Sequence, residues 1–175
     1  MLFRSAALLQ RSSPDKAIAA LRLLLEHENQ EIRTGALEAL SGIPGALDTN
    51  ALQRMLTTGD TQQQLVAADT LRRMDDLSGL PKVIAVLAKV GPQKAEAARV
   101  LSRFRSRAAG AAMIDLLDDP DAQVRQAAWN GLQNVLRELF PYRKFDFAKC
   151  GYEPNSPTRG AGITALRTFW SSVTK

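Results

Sequence analysis

The stretch from Asp118 to Leu132 reads DDPDAQVRQAAWNGL, and this order of residues predicts a turn followed by a helix. Asp119-Pro120-Asp121 ends one helix and starts the next, and its carboxylates suit the positively polarised first turn of that next helix. The stretch ENQEIRTGALEAL, from Glu28 to Leu40, has the same order. Its apolar residues recur at the three- and four-residue spacing of an amphipathic helix.

The two stretches belong to an internal repeat of about 31 residues. Apolar positions recur along the chain at spacings of 31, 30 and 31 residues, and five such columns share one register. The first column is leucine throughout: Leu40, Leu71, Leu101 and Leu132. The second is alanine throughout: Ala36, Ala67, Ala97 and Ala128. Five columns at one period exceed what chance supplies, even in a chain with 26 Ala and 24 Leu.

Each repeat unit is predicted to contain two helices. Gly59-Asp60 and Gly91-Pro92 each combine a helix stop with a helix start. The alanine column allows neighbouring helices to approach closely, while the leucine one turn later fills the groove beside it. No segment alternates in the manner of a β-strand, so we predict an all-α protein. Helix pairs that repeat with this period stack as an α-solenoid.

An acidic turn, a Val-Arg or Ile-Arg pair and an Ala- and Leu-rich helix together resemble a HEAT repeat. The period is similar to that of short bacterial HEAT repeats, which include the phycobilisome-lyase-like repeats. The resemblance covers residues 12–139 and implies a right-handed α-solenoid of the armadillo/HEAT type. Its four two-helix repeats would span about 12–43, 44–76, 77–106 and 107–139. The middle two depart from the pattern, with Gln63-Gln64 and Gln93-Lys94 at the Val/Ile-Arg position.

The two ends of the chain differ from the repeats. Residues 1–11 match the second helix of a unit, so we expect a partial repeat or an N-terminal cap helix. If the chain is the C-terminal part of a larger one, residues 1–11 are a partial repeat. A longer precursor of that kind is also compatible with export. A complete chain favours a cytoplasmic location. Residues 140–175 are predicted to form a loop and a capping helix at about 157–173, started by Ser156-Pro157.

Composition excludes many kinds of chemistry. The single cysteine, Cys150, rules out a thiolate zinc cluster, and the single histidine, His27, rules out sites that need two imidazoles. Cys150 also lacks an evident base nearby in the sequence. The longest apolar runs fall short of the roughly 18–20 residues of a membrane span. We therefore predict no catalytic residue, no cofactor, no metal site and no membrane span.

The resemblance implies a structural role for two arginines. Arg33 and Arg125 occupy the position of the HEAT arginine, which bonds to an acidic residue of the turn between helices and builds a ladder between units. Asp119 is the expected partner in the last repeat, with Glu31, Asp118 and Asp121 as further candidates.

The net charge of +5 is unevenly distributed. Residues 1–60 carry −1, residues 61–120 carry +2 and residues 121–175 carry +4. The resemblance implies that second helices line a concave face, where a partner would bind. The predicted partner-binding residues there are Arg72, Arg99, Arg103, Trp129, Asn130 and Gln133. Trp129 is open to two interpretations, a packing residue or an anchor for the partner, since tryptophan is common at interface hot spots.

Scaffold and groove together favour one function over two alternatives. We expect a non-catalytic HEAT-repeat scaffold that binds a protein partner, of unknown identity, through its concave face. The first alternative is nucleic-acid binding on the basic C-terminal half, as in HEAT-like DNA glycosylases, although a net charge of +5 is modest for it. The second is a chromophore lyase, or a lyase subunit, resembling the phycobilisome lyases.

Overall fold

A computed structural model of the chain describes residues 13–43, 45–89, 91–142 and 145–174. These residues form nine α-helices, and no strand occurs among them. The prediction of an all-α protein is therefore confirmed for this part of the chain. The partial repeat or cap helix predicted at residues 1–11 lies outside the described residues.

The first compact unit comprises residues 1–79. Its described helices are α1 (Pro14–Leu24), α2 (Gln30–Ser41), α3 (Thr49–Thr58) and α4 (Thr61–Arg73). Consecutive helices pack in pairs, α1 with α2 and α3 with α4. The second helices of the two pairs, α2 and α4, also pack against each other.

The second compact unit comprises residues 80–175. Its described helices are α5 (Leu80–Leu87), α6 (Gln93–Leu101), α7 (Arg107–Leu116), α8 (Ala122–Leu139) and α9 (Gly160–Val173). Here too consecutive helices pair, α5 with α6 and α7 with α8. First helices contact each other, as do second helices. The sequential pairing in both units is consistent with a helical repeat arrangement.

Side-chain caps fix where three of the four described second helices begin, whereas α6 follows Pro92 without a side-chain cap. Asn29 starts α2 and accepts a hydrogen bond from the backbone N–H of Glu31. Asp60 starts α4 in a capping box with Gln63, in which each side chain bonds to the other residue's backbone N–H. Asp121 starts α8 and accepts from the N–H of Gln123. Polar turn residues at one period therefore set the helix boundaries.

The alanine column lies in the core. Ala36, Ala67, Ala97 and Ala128 are all 0% exposed. The leucine column, one turn further along each second helix, is equally buried. A methyl group at each contact lets the helix backbones approach closely, and the leucine fills the adjacent space.

The C-terminal helix α9 packs on α7. A side chain at Gly110 of α7 would collide with Trp170 of α9, because an added Cβ would lie 2.0 Å from the indole ring. Phe140 meets the same ring edge-on, with centroids 5.8 Å apart. The absence of a side chain at Gly110 therefore makes room for the tryptophan that docks α9.

The start predicted for this last helix, at residue 157, is wrong. The helix begins at Gly160, and Arg159 is its N-cap. Ser156 does not cap it, because its hydroxyl accepts a hydrogen bond from the N–H of Thr158 in the turn before the helix. A Ser-Pro pair can close a local turn as readily as it can start a helix.

None of the described helices combines the length and the apolar character needed to cross a membrane.

The burial of the alanine column predicts the effect of a larger residue there. Ala128→Leu should lower the free energy of unfolding by about 1–3 kcal/mol, because the added methylenes overpack the contact between helices. Ala111→Leu, on the exposed side of α7, is the matched control and should change stability by less than about 0.5 kcal/mol. Urea denaturation followed by circular dichroism measures both. Equal stability of the two variants would contradict the packing described here.

Candidate functional site

The two predicted ladder arginines make the same contacts with their own turns. Nη1 of Arg33 donates to the carbonyl oxygens of His27 and Glu28, at 2.8 and 2.7 Å. Nη1 of Arg125 donates to those of Asp119 and Pro120, at 2.8 and 2.9 Å. In both cases the acceptors lie six and five residues before the arginine. Each arginine thus binds its helix to the turn that precedes it.

Cations at this position also contact the segment that follows. Nη2 of Arg33 lies 3.5 Å from Oδ2 of Asp60, the N-cap of α4. Lys94, at the corresponding position of α6, places Nζ 2.5 Å from Oδ2 of Asp119, which is buried. Carboxylates at two turns are therefore each paired with a cation from the preceding helix pair.

Arg125 occupies the last of these positions, and the segment it contacts is the C-terminal loop, because no further helix pair follows it in the described repeats. Nε of Arg125 donates to the carbonyl of Pro154, and Nη2 donates to Oδ1 of Asn155 at 3.2 Å. Asp119 therefore contacts Arg125 through its carbonyl and Lys94 through its carboxylate. The sequence analysis did not predict this role for Lys94, because the repeat has a lysine there where the HEAT pattern has arginine. The repeat period nevertheless places Lys94 at the position of Arg33 and Arg125.

Trp129 packs against the C-terminal segment. Its ring centroid lies 4.7 Å from that of Tyr152 and 5.4 Å from that of Phe147. Trp129 was interpreted from the sequence either as a packing residue or as an anchor for a partner. These ring contacts are those of a packing residue. Tyr152 is buried, and its hydroxyl donates to the carbonyl of Leu117 at 2.8 Å. Burial raises the pKa of Tyr152 to about 12, against a smaller opposing effect of Arg125.

A groove of about 460 Å³ lies between the second helices α6 and α8. Its lining residues are Arg99, Ser102, Ala122, Gln123, Gln126, Ala127, Asn130, Gly131, Asn134 and Asn155. Gly131 lets α8 lie close to the end of α6 and to α7, since an added Cβ would lie 2.7 Å from Cβ of Ser102 and 2.9 Å from Sδ of Met113. Larger polar side chains stand around this close contact.

Five side-chain amides surround the groove. Four follow one stripe of α8, at Gln123, Gln126, Asn130 and Asn134, and Asn155 comes from the C-terminal loop. Nε2 of Gln126 donates to Oδ1 of Asn130 at 3.0 Å. Amides both donate and accept hydrogen bonds, so the stripe can bond to polar groups of a bound chain.

Among the described lining residues, Arg99 is the one that carries a charge. More than half of its side chain is exposed, and Nε lies 2.8 Å from Oε2 of Glu96. Because this ion pair uses one edge of the guanidinium, other N–H groups remain available for a bound acceptor.

The structure brings two of the six predicted partner-binding residues into this groove, Arg99 and Asn130. Gln133 is half-buried on α8 and lies outside the lining, and Arg103 is exposed just beyond the end of α6. Arg72 belongs to the first unit, where Nε bonds to Oδ1 of Asp69 at 3.0 Å. Sequence reasoning missed four amides, Gln123, Gln126, Asn134 and Asn155, although three of them share the helical spacing of Asn130.

No cluster of three or more His, Cys, Asp or Glu side chains able to hold a metal ion occurs in the described ranges. Nδ1 of His27 accepts a hydrogen bond from the backbone N–H of Asn29 at 3.0 Å. Sγ of Cys150 lies 3.2 Å from the carbonyl oxygen of Phe147. Both side chains are thus engaged with nearby backbone.

The raised pKa of Tyr152 predicts a pH dependence of stability. Burial keeps the hydroxyl protonated in the folded chain up to about pH 12, whereas in the unfolded chain it ionises near the ordinary tyrosine pKa of 10.0. Its contribution to the free energy of unfolding is therefore complete below pH 10 and is lost as the pH rises through 12.

Ultraviolet absorbance of tyrosinate measures this titration directly. The Tyr142→Phe variant removes the other tyrosine, which is fully exposed, and leaves Tyr152 as the reporter. We expect a midpoint near 12 in the folded variant. A midpoint close to 10 would mean that the hydroxyl is not buried against Leu117.

Comparisons with protein-family models, with curated proteins and with solved structures find no match to this chain. What the described residues establish is an all-helical protein with nine helices, packed mostly in sequential pairs.

Proposed function

We propose that the chain is a non-catalytic HEAT-repeat scaffold, built as a right-handed α-solenoid, that binds a protein partner through its second helices. The observation that carries the proposal is the amide-lined groove between α6 and α8. Its polar side chains are accessible, while the alanine and leucine columns beneath them are buried. The second helices thus combine a packed inner side with an outer side suited to recognition.

The contacts at the turns support the repeat part of this proposal. Residues 33, 64, 94 and 125 share one position of the period, and each bonds near a turn. Gln64 donates to the carbonyl of Gly59 at 2.9 Å, as Arg33 and Arg125 do to their own turns. Lys94 and Arg33 pair with an acidic residue further along the chain. A recurring contact at a recurring position is expected of stacked repeats.

Side chains already held in place favour binding. Gln126 and Asn130 bond to each other, Asn134 accepts from Arg137, and Asn155 accepts from Arg125. Ordering a free side chain at an interface costs about 0.5–1.5 kcal/mol, so side chains fixed beforehand reduce the entropy lost on binding. The groove therefore resembles a prepared binding surface.

Charge pairing favours a protein over a nucleic acid. Residues 80–175 carry 15 Lys and Arg against 8 Asp and Glu, a net charge of +7. Within the described residues, at least six of these cations form ion pairs: Lys94, Arg99, Arg105, Lys149, Arg159 and Arg167. Nucleic-acid backbones need several cations directed at phosphates, whereas this groove offers one. No contact among the described residues bears on the chromophore-lyase alternative.

Selection from a library of random dodecapeptides on the intact chain tests the proposal. Peptides enriched by the selection should bind in solution, as measured by fluorescence anisotropy. The double variant Gln126→Ala, Asn130→Ala should weaken this binding by about tenfold, because each lost hydrogen bond contributes about 0.5–1.5 kcal/mol. Asn50→Ala, an exposed change on α3 in the first unit, is the control and should leave affinity unchanged.

Circular dichroism of each variant confirms that the helices are intact. Failure to enrich any peptide, or enriched peptides whose affinity is the same for the groove variant and for Asn50→Ala, would refute the assignment of this groove as the binding site.

A further inference from the structure

We infer that the groove between α6 and α8 binds an extended, acidic peptide segment, an inference that rests on the proposed function. The groove presents hydrogen-bond donors in excess, and its charged lining residue is a cation. A peptide that offers main-chain carbonyls and a carboxylate complements both features.

Two arginines fix the orientation of two amides. Nη2 of Arg137 donates to Oδ1 of Asn134, and Nη2 of Arg125 donates to Oδ1 of Asn155, both at 3.2 Å. A guanidinium group only donates hydrogen bonds, so the amide oxygen must face it. The NH2 group of each asparagine is therefore turned away from its arginine.

A third amide has the same polarity. Oδ1 of Asn130 accepts from Nε2 of Gln126, which leaves the NH2 group of Asn130 as its remaining polar group. Within the described part of the chain, no acceptor bonds to the side-chain NH2 groups of Asn130, Asn134 or Asn155. These three donors can therefore bond to acceptors of a bound molecule.

The spacing of the donors suits an extended main chain. Asn130 and Asn134 are one helical turn apart, which at 1.5 Å per residue separates them by about 6 Å along α8. In an extended peptide, carbonyls on the same side are two residues apart, or about 6.6 Å. The stripe from Gln123 to Asn134 is about 16 Å long, enough for about five extended residues.

Charge selects an acidic segment. Arg99 lines the groove beside this stripe, and Glu96 occupies its Nε edge, so its outer N–H groups can pair with a carboxylate. Among the described residues, no acidic side chain lines the groove, and the net charge of residues 80–175 is +7. The described lining residues include no aromatic side chain on which a nucleic-acid base could stack. These features favour an acidic peptide over a single-stranded nucleic acid.

Two dodecapeptide libraries test this inference, one that contains Asp and Glu and one in which Asn and Gln replace them. The first should yield binders with an acidic residue at a fixed position, and the second should yield none. Replacing that residue by its amide should weaken binding to the wild-type chain by about tenfold but hardly change binding to Arg99→Gln, since the lost ion pair is the same one.

Asn134→Asp tests the donors. The substitution keeps the shape of the side chain, removes the NH2 group and adds a negative charge, so the acidic peptides should bind at least about tenfold more weakly. Asn50→Asp makes the same chemical change on α3 and should leave their affinity unaltered.

The outcomes separate the inference from the proposed function. If peptides from both libraries bind equally well and depend on the groove, the inference of an acidic ligand is wrong, but the proposed protein-binding function is retained. Loss of all groove-dependent peptide binding would overturn both. Oligothymidylate that binds more tightly than any selected peptide, with a steep salt dependence and loss in Arg99→Gln, would also overturn the inference.

Discussion

The close contact between second helices is the constraint on which the rest of the structure depends. The end of α6 approaches α8 at Gly131, and the alanines of the repeated column are fully buried in the second helices. A larger residue at such a place must displace a neighbouring helix, because protein interiors contain few voids. The close contact near Gly131 also determines the position of the groove, because the longer side chains of the two helices fit only beside that contact.

The groove shows how side-chain amides on plain helices can be held in fixed orientations. Amides on an exposed helix usually rotate freely and bond to water. Here Arg137 and Arg125 each hold an asparagine oxygen, so that the NH2 groups are left as a set of oriented donors. The same Arg125 binds its own turn and the C-terminal loop, which supplies Asn155. The guanidinium of Arg125 therefore holds the C-terminal loop on α8 and also orients one of the amides of the groove.

Much of the fold could be predicted because it depends on local signals. Helix starts follow from caps such as Asp60 and Asp121, and the buried columns follow from spacing alone. The start of α9 was missed because Ser156 bonds within a turn. Most of the amides that line the groove were not predicted from the sequence. In the sequence Asn134 looks like any exposed polar residue, because the hydrogen bond from Arg137 that orients it is visible only in the structure. Asn155 comes to the groove from the C-terminal loop, which the repeat pattern does not cover. The role of Trp129 likewise depends on Tyr152 and Phe147, which no spacing rule connects to it.

Nuclear magnetic resonance tests most directly whether the oriented side-chain amides of the groove bind an acidic peptide. In a 15N-labelled intact chain, each asparagine side chain gives its own pair of NH2 signals. Adding an acidic dodecapeptide should move the NH2 signals of Asn130, Asn134 and Asn155 downfield, because each forms a new hydrogen bond, while those of Asn50 stay in place. Binding that leaves these three pairs unmoved, or that moves only signals elsewhere, would contradict the account.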